Sequence, residues 1–180
     1  AQAVIVIPDD IPPSRAVLTG IVETAVNALW DAAPLVGDRI AIVGAGMLGC
    51  CMARLLGQIP GTRVSLVDVD VSRAEIAAAL GVNFALSADA VGNCDLVIHS
   101  SATAAGLQLS LELLALEGTV IDLSWYGDAE VCLDLGGSFH SRRLGIRASQ
   151  VSHLSAARRG RRTNRERLEL ALDLLRDPAF

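Results

Sequence analysis

Val43-Gly44-Ala45-Gly46-Met47-Leu48-Gly49 follows the apolar run Ile40-Ala41-Ile42-Val43 and leads into a second apolar run from Cys50 to Leu56. Strand, Gly-x-Gly-x-x-Gly turn and helix form a βα unit in which each glycine has a physical job. Gly44 permits the tight turn, Gly46 has no Cβ where a pyrophosphate would approach the backbone, and Gly49 lets the helix pack close to the strand. The N–H groups of Met47 and Leu48 at the helix start, with the positive end of the helix dipole, would hold the phosphates. A further apolar run, Val64-Ser65-Leu66-Val67, ends in Asp68, about twenty residues past the turn, where an acidic side chain accepts hydrogen bonds from the adenosine ribose hydroxyls. The glycines alone are a weak signal, because a βα turn can be glycine-rich without a ligand. Strand, glycines, helix, strand and acid together point to dinucleotide binding, with Gly44, Gly46, Met47, Leu48, Gly49 and Asp68 as its first candidates.

Working outward, apolar strands and helices alternate. After strands at Ile40–Val43 and Val64–Val67, with a helix at Leu48–Leu56, the spacing predicts a helix over Ser72–Leu80 that Gly81 stops. A weak strand is expected near Asn83–Ala85, a strong one at Leu96–His99, a helix over Ala104–Leu116 that Gly118 stops, and a strand at Thr119–Leu123. Continuous apolar strands are what a parallel sheet covered by helices on both faces requires, so the expected fold is α/β: a doubly wound parallel sheet, a Rossmann fold in three αβα layers. Upstream, Ala3–Ile7 reads as a strand. Ser14 would cap a helix reaching about Ala33, with Ile21, Val22, Ala25, Val26, Leu29 and Trp30 at helical spacing. Residues 1–36 are thus an entry segment and 37–180 a dinucleotide-binding domain. Downstream, Glu130–Leu135 is a candidate outer strand, Leu144–Ala148 a sixth strand, and Arg165–Leu175 a final helix with Leu168, Leu172 and Leu175 on one stripe.

Composition narrows the function. The 180 residues are 52% hydrophobic, with a mean hydropathy of +0.45. No stretch reaches the roughly 18 apolar residues of a membrane span, so no membrane partner is expected. The apolar excess then implies a covered surface, in a second domain or another subunit, and a homo-oligomer is expected. The chain starts at Ala1 without Met, and it is expected to be a piece of a longer polypeptide. A net charge of −5 does not favour nucleic acid. All 15 basic residues are arginines, which removes lysine Schiff-base and lysine acid/base chemistry. With Tyr126 the sole tyrosine, a Tyr-x-x-x-Lys site is excluded too. Cys50, Cys51, Cys94 and Cys132 lack zinc-ligand spacing and read as packing residues in a reducing cytoplasm.

Several further segments resemble the cofactor domain of medium-chain dehydrogenases of the zinc alcohol dehydrogenase type. They are Pro8-Asp9-Asp10-Ile11-Pro12, Glu23 to Leu29, Gly37 to Gly46, Val67-Asp68-Val69-Asp70-Val71-Ser72-Arg73, and Asp95 to Ser101 followed by Gly106-Leu107. The likeness runs to about Ala148. It implies NAD as cofactor, Asp68 as the ribose acid, Arg73 beside the adenosine, and hydride transfer between a small alcohol or carbonyl substrate and nicotinamide in the intact protein. The family's Gly-His-Glu zinc motif and its cysteine-rich structural lobe do not occur here. Zinc is therefore expected only in a catalytic domain outside this chain, and the segment alone is expected to be inactive. A non-catalytic NAD-sensing or regulatory module is the alternative. A methyltransferase is a third reading, which Gly49 argues against.

Ser100, Ser101 and Ser124 lie at the carboxyl ends of the Leu96–His99 and Thr119–Leu123 strands, the edge where open α/β sheets bind ligands. They are candidate cofactor contacts, with turn and capping chemistry as the alternative. The nicotinamide end is expected toward Ser124, Ala148 and Ser149. His99 reads as a satisfied core or rim histidine, with a catalytic histidine as the alternative. Trp125 and Tyr126 read as packing residues, or as walls of the nicotinamide pocket. His140 and His153 have no partner motif. The Arg158-Arg159-Gly160-Arg161-Arg162 cluster, with Arg165 and Arg167, reads as a solvated loop and helix start facing a carboxylate partner outside this segment, with attraction of phosphates, an acidic substrate or nucleic acid as the alternative.

Overall fold

A computed structural model describes residues 4–180. Six parallel strands form one sheet: β1 (Arg39–Val43), β2 (Arg63–Asp68), β3 (Asn83–Leu86), β4 (Cys94–His99), β5 (Leu114–Asp122) and β6 (Gly145–Ala148). Their order is β3-β2-β1-β4-β5-β6, the doubly wound order whose direction reverses between β1 and β4. The expected α/β fold is the one found.

Alternation along β1 sorts the two faces. Ile40 and Ile42, with Val64, Leu66, Leu96, Ile98 and Ile121 from neighbouring strands, pack in one core cluster. That cluster includes α2 (Thr19–Ala32), α3 (Met47–Gly57) and α7 (Asn164–Leu174) through Val22, Ala25, Met52, Leu56 and Leu172. Ala41 and Val43, with Val67, Val97 and Val120, face the opposite side, under α5 (Ala104–Leu113) and Tyr126, Val131, Leu133 and Phe139 from the stretch between β5 and β6. The entry helix α2 is therefore built into the main core, with Val22, Ala25 and Ala28 fully buried. Among the described residues, no helix is long and apolar enough to cross a membrane.

Several expectations are corrected. Val4–Ile7 form no strand; Ala3 lies outside the described residues. The predicted Ser14–Ala33 helix is two: α1 (Pro13–Ala16) and α2, separated at Val17-Leu18. Pro12, not Ser14, precedes α1, and Ser14 makes no cap. Leu114–Leu116 belong to β5 rather than to the preceding helix, because the chain pairs with β4 from Cys94↔Leu114 onward. A register shift between Cys94 and Leu96 absorbs the extra residues. Gly118 sits in that irregularity, where a Cβ would lie 2.9 Å from Leu114 and 3.2 Å from the Cys94 carbonyl. Glu130–Leu135 are irregular; Val131 and Leu133 pack on the α5 face without joining the sheet. The Ser72–Leu80 helix is a 3₁₀ turn at Val71–Arg73 followed by α4 (Ala74–Leu80), and a short α6 (Ser138–Ser141) precedes β6.

The arginine cluster divides. Arg158, Arg159, Arg161 and Arg162 are exposed. Arg167 is 2% exposed. It donates to Asn27 Oδ1 at 2.6 Å and the Val151 carbonyl at 2.6 Å, and pairs with Glu23 at 3.1 Å. Its carboxylate partner thus lies within this chain, on α2. Removing one member of a buried pair leaves the other desolvated, at a cost of about 3 kcal/mol. Arg167→Ala is expected to lower the urea midpoint accordingly, whereas Arg161→Ala should stay within about 0.5 kcal/mol of the parent. Equal midpoints for the two variants would contradict this.

Candidate functional site

The turn between β1 and α3 supplies the floor of a cleft of about 670 Å³ at the carboxyl ends of the strands. Gly44 has φ +108°, and a Cβ there would lie 2.8 Å from Ser101 N and 2.9 Å from Ser100 C. Its hydrogen takes the space of a side chain because the end of β4 crosses directly beside it. Gly49 is tighter, since a Cβ there would come within 1.9 Å of the Gly44 carbonyl. Both glycines serve the protein's own packing.

Gly46 differs. It precedes α3 in extended conformation (φ −77°, ψ −175°), which any residue adopts. A Cβ there would meet nothing within 4 Å. No side chain caps α3, so its first-turn N–H groups, which helix geometry leaves without intrahelical partners, are served by no side chain at the cap. Met47 is exposed and Leu48 half-buried. The uncapped helix start and the open space beside Gly46 form a cradle that a phosphate group fits.

Asp68 closes the turn from the β2 side. Its Oδ2 accepts from Ala45 N–H at 2.6 Å and its Oδ1 from Asp70 N–H at 3.0 Å. Each carboxylate oxygen keeps a lone pair in addition to these bonds. Arg73 lies 3.4 Å from Asp70, and both line the cleft. Hydrogen bonds from Ser72, with the Arg73 charge adding to them, hold the Asp70 carboxyl below its usual range.

The β4 edge closes the other side. Ser100 Oγ donates to the Gly44 carbonyl at 3.0 Å, locking the glycine turn against β4. Ser101 lines the cleft and contacts His99 Nε2 at 2.8 Å and Thr103 Oγ1 at 3.0 Å. Ser124 Oγ accepts from Ala102 N–H at 3.1 Å, tying the β4 and β5 loops together. Ala148 is aligned with Asp122 at the end of β6. The Ser149 hydroxyl turns away, donating to Asp31 Oδ2 at 2.7 Å. The cleft thus gathers Gly44, Gly46, Asp68, Arg73, Ser100 and Ser101 on its walls. Ser124, Ala148 and Ser149 continue along the same sheet edge.

Register brings together a group that sequence spacing hides. His99 pairs with Asp122 across β4 and β5. His99 is fully buried, as the reading of it as a satisfied core histidine expects, and its Nδ1 lies 2.9 Å from Asp122 Oδ1. Asp122 also accepts from Ser124 N–H at 3.0 Å and Tyr126 OH at 3.1 Å. Burial raises the Asp122 carboxyl, but these hydrogen bonds outweigh it and leave it below its usual range. Burial, with the charge of Asp122, pushes the Tyr126 phenol up to about 12, so it stays protonated and donates. The Tyr126 ring stacks on His99, with centroids 6.2 Å apart and 19° between planes. Trp125 is 88% exposed and does not wall the cleft. The one available signal was that His99 and Asp122 each end an apolar strand. His140 and His153 are exposed. Among the described residues, no three His, Cys, Asp or Glu side chains converge as a metal site.

No family model matches the sequence, and no curated protein matches it. Solved structures do resemble it. The alcohol dehydrogenase TADH from Thermus sp. ATN1 is 23% identical with a TM-score of 0.75, covering 97% of this chain and 52% of its own. The short chain alcohol dehydrogenase rspB from Escherichia coli CFT073, complexed with NADH, is 17% identical with a TM-score of 0.76, covering 97% and 51%. A protein from Sinorhizobium meliloti 1021 described as a zinc-binding dehydrogenase, bound to NADP, is 18% identical with a TM-score of 0.76, covering 94% and 51%. At these identities the likeness shows the fold. The chain has the Rossmann architecture found in half of these dehydrogenases, and it spans about half their length.

Proposed function

We propose that this chain is the cofactor-binding domain, residues 37–180 with the 1–36 entry segment leading into it, of a medium-chain, zinc-type dehydrogenase, and that its cofactor is NAD(H). One observation carries the reading. Gly44 and Gly49 are filled to contact by the protein itself, whereas Gly46 faces open space above an uncapped helix start, opposite an acid at the end of β2. Bound there, the cofactor would supply hydride-transfer chemistry. The N–H groups of Met47 and Leu48 would hold its pyrophosphate, Asp68 its adenosine ribose, and Arg73 would flank the adenosine. Ser100 would keep the turn in shape. Ser101 and Ser124 would continue the contact toward Ala148 and Ser149, where the nicotinamide end belongs in this reading. Two of the neighbours support a nicotinamide dinucleotide without choosing between NAD and NADP, since NADH is bound in one and NADP in the other.

The choice of NAD rests on Asp68. Its remaining lone pairs would accept from both ribose hydroxyls, while its charge would repel a 2′-phosphate. In calorimetric titrations NAD is expected to bind at least about tenfold tighter than NADP, the equivalent of about 1.4 kcal/mol. Equal or tighter binding of NADP would refute this assignment.

An alcohol or carbonyl substrate, zinc in a separate catalytic domain, a homo-oligomeric assembly and a cytoplasmic site of action complete the proposal. Exposed Val69 and Trp125, just past the carboxyl ends of β2 and β5, suit a surface that another domain or subunit covers. The 180-residue chain is expected to bind NAD weakly and to turn over no alcohol, with or without added zinc. Turnover by the purified chain with metal chelated would move the assignment to another dehydrogenase class.

A further inference from the structure

Asp68, Asp70 and Arg73 are the only ionisable side chains lining the cleft, and all three stand at or just past the end of β2. Local hydrogen bonds set their arrangement. Asp68 Oδ1 accepts from Asp70 N–H at 3.0 Å. Asp70 Oδ1 accepts from Ser72 N–H at 2.9 Å, which caps the 3₁₀ turn Val71–Arg73. At the end of that turn Arg73 Nε lies 3.4 Å from Asp70 Oδ2. Asp70 thus spends one oxygen on the backbone and the other on the arginine. The side chains of Arg73 and Asp70 are 43% and 46% exposed, so their pairing adds little to stability. Its consequence lies in the charge that this end of the cleft presents. A free Arg73 would offer a guanidinium for bidentate contact with a phosphate. Paired with Asp70 it is neutralised, and the Asp68 carboxylate beside it leaves the wall with a net charge of −1.

We propose that Asp70 closes the adenosine end of the cleft to a 2′-phosphate by taking Arg73, the only cation on the cleft walls, as its own partner. This rests on the dinucleotide reading above, and it gives the two acids different tasks. Asp68, held by Ala45 N–H and Asp70 N–H, keeps lone pairs for ribose hydroxyls. Asp70 withdraws the group that would otherwise receive a phosphate in their place. A ligand with a bare ribose loses nothing by that pairing. A ligand with a 2′-phosphate brings up to two more negative charges to a wall that is already negative, and no second cation lines the cleft to meet them.

The test is the ratio of NADP to NAD affinity of the full chain, measured by calorimetry in the parent, in Asp70→Asn and Asp70→Ser, and in the double variant Asp70→Asn/Arg73→Ala. Asparagine and serine both cap helical turns, so each can keep the bond from Ser72 N–H while the charge is removed. Taking one unit charge away from the neighbourhood of a doubly charged phosphate at an exposed site is worth roughly five- to tenfold. The ratio is expected to rise by that factor in both single variants, with NAD affinity little changed. In the double variant the rise should vanish, because the wall regains the parent's net charge without the arginine. The gain in the single variants should also shrink as salt is raised from about 0.05 M to about 0.5 M, a response that loss of a structural bond would not give. A ratio unchanged in both single variants, a rise that survives Arg73→Ala, or a gain indifferent to salt would overturn the proposal while NAD binding leaves the cofactor reading intact. Failure of both dinucleotides to bind the parent would overturn both.

Discussion

Gly46→Val is expected to fold like the parent protein and to lose dinucleotide binding. The conformation at position 46 is open to a β-branched residue, and the added side chain meets no protein atom. The only structural cost is a poorer residue at the start of α3, of about 1 kcal/mol. In the proposed complex, however, the isopropyl group occupies the approach of the pyrophosphate. A clash at the upper end of ordinary overpacking, about 3 kcal/mol, lowers affinity by about a hundredfold. Circular dichroism should therefore match the parent and the melting temperature should fall by only about 2–4 °C, while fluorescence titration with NADH should fail to saturate. Undiminished affinity in the folded variant would show that the glycine turn is not the phosphate site.

Gly49→Ala is expected to do the reverse, damaging the fold first. Its methyl carbon would lie 1.9 Å from the Gly44 carbonyl oxygen. That atom is backbone, held by Ser100 Oγ and by the Gly44 N–H bond to the Val67 carbonyl. Neither partner can swing aside, so α3 must lift from the β1 turn. The cost of such overpacking is about 3 kcal/mol, against which the better helix propensity of alanine returns about 1 kcal/mol. For a chain of this size a net loss near 2 kcal/mol lowers the melting temperature by roughly 4–8 °C. Gly44→Ala should be destabilised as well, because φ +108° is strained for alanine and the Ser101 backbone lies 2.8 Å from the new carbon. Melting temperatures ranked with Gly46→Val lowest would contradict this division of labour among the three glycines.

The parts of the fold legible in the sequence are those whose signals are local. The β1–turn–α3–β2 unit, with Asp68 at its end, was marked by glycine spacing and uninterrupted apolar runs. Its observed edges differ from the expected ones by a residue, as at Arg39 and Gly57. The parts that misled depend on distant partners. Leu111 to Leu116 is apolar enough for either helix or strand, and pairing with Cys94 decides for strand from Leu114. Val131 and Leu133 alternate as a strand would, yet they find the α5 face to cover instead of a strand edge. Arg167 looked like part of a solvated basic run; only the packing of α7 on α2 shows that it fills a polar socket made by Asn27 and Glu23. The candidate site divides in the same way. Its phosphate and ribose side could be read from one motif. The His99–Asp122–Tyr126 group needs strand register to become visible, because each member alone is an unremarkable residue at the end of a strand.

The most direct test of the central claim is a map of amide chemical-shift changes in the ¹⁵N-labelled 180-residue chain as NADH is added. The account predicts the largest changes at Gly44 to Gly49, Asp68, Ser100 and Ser101, with a second group at Ser124 and Ala148 and little change at Arg158 to Arg162. Absence of any saturable change, or changes centred away from the β1–α3 turn, would contradict it.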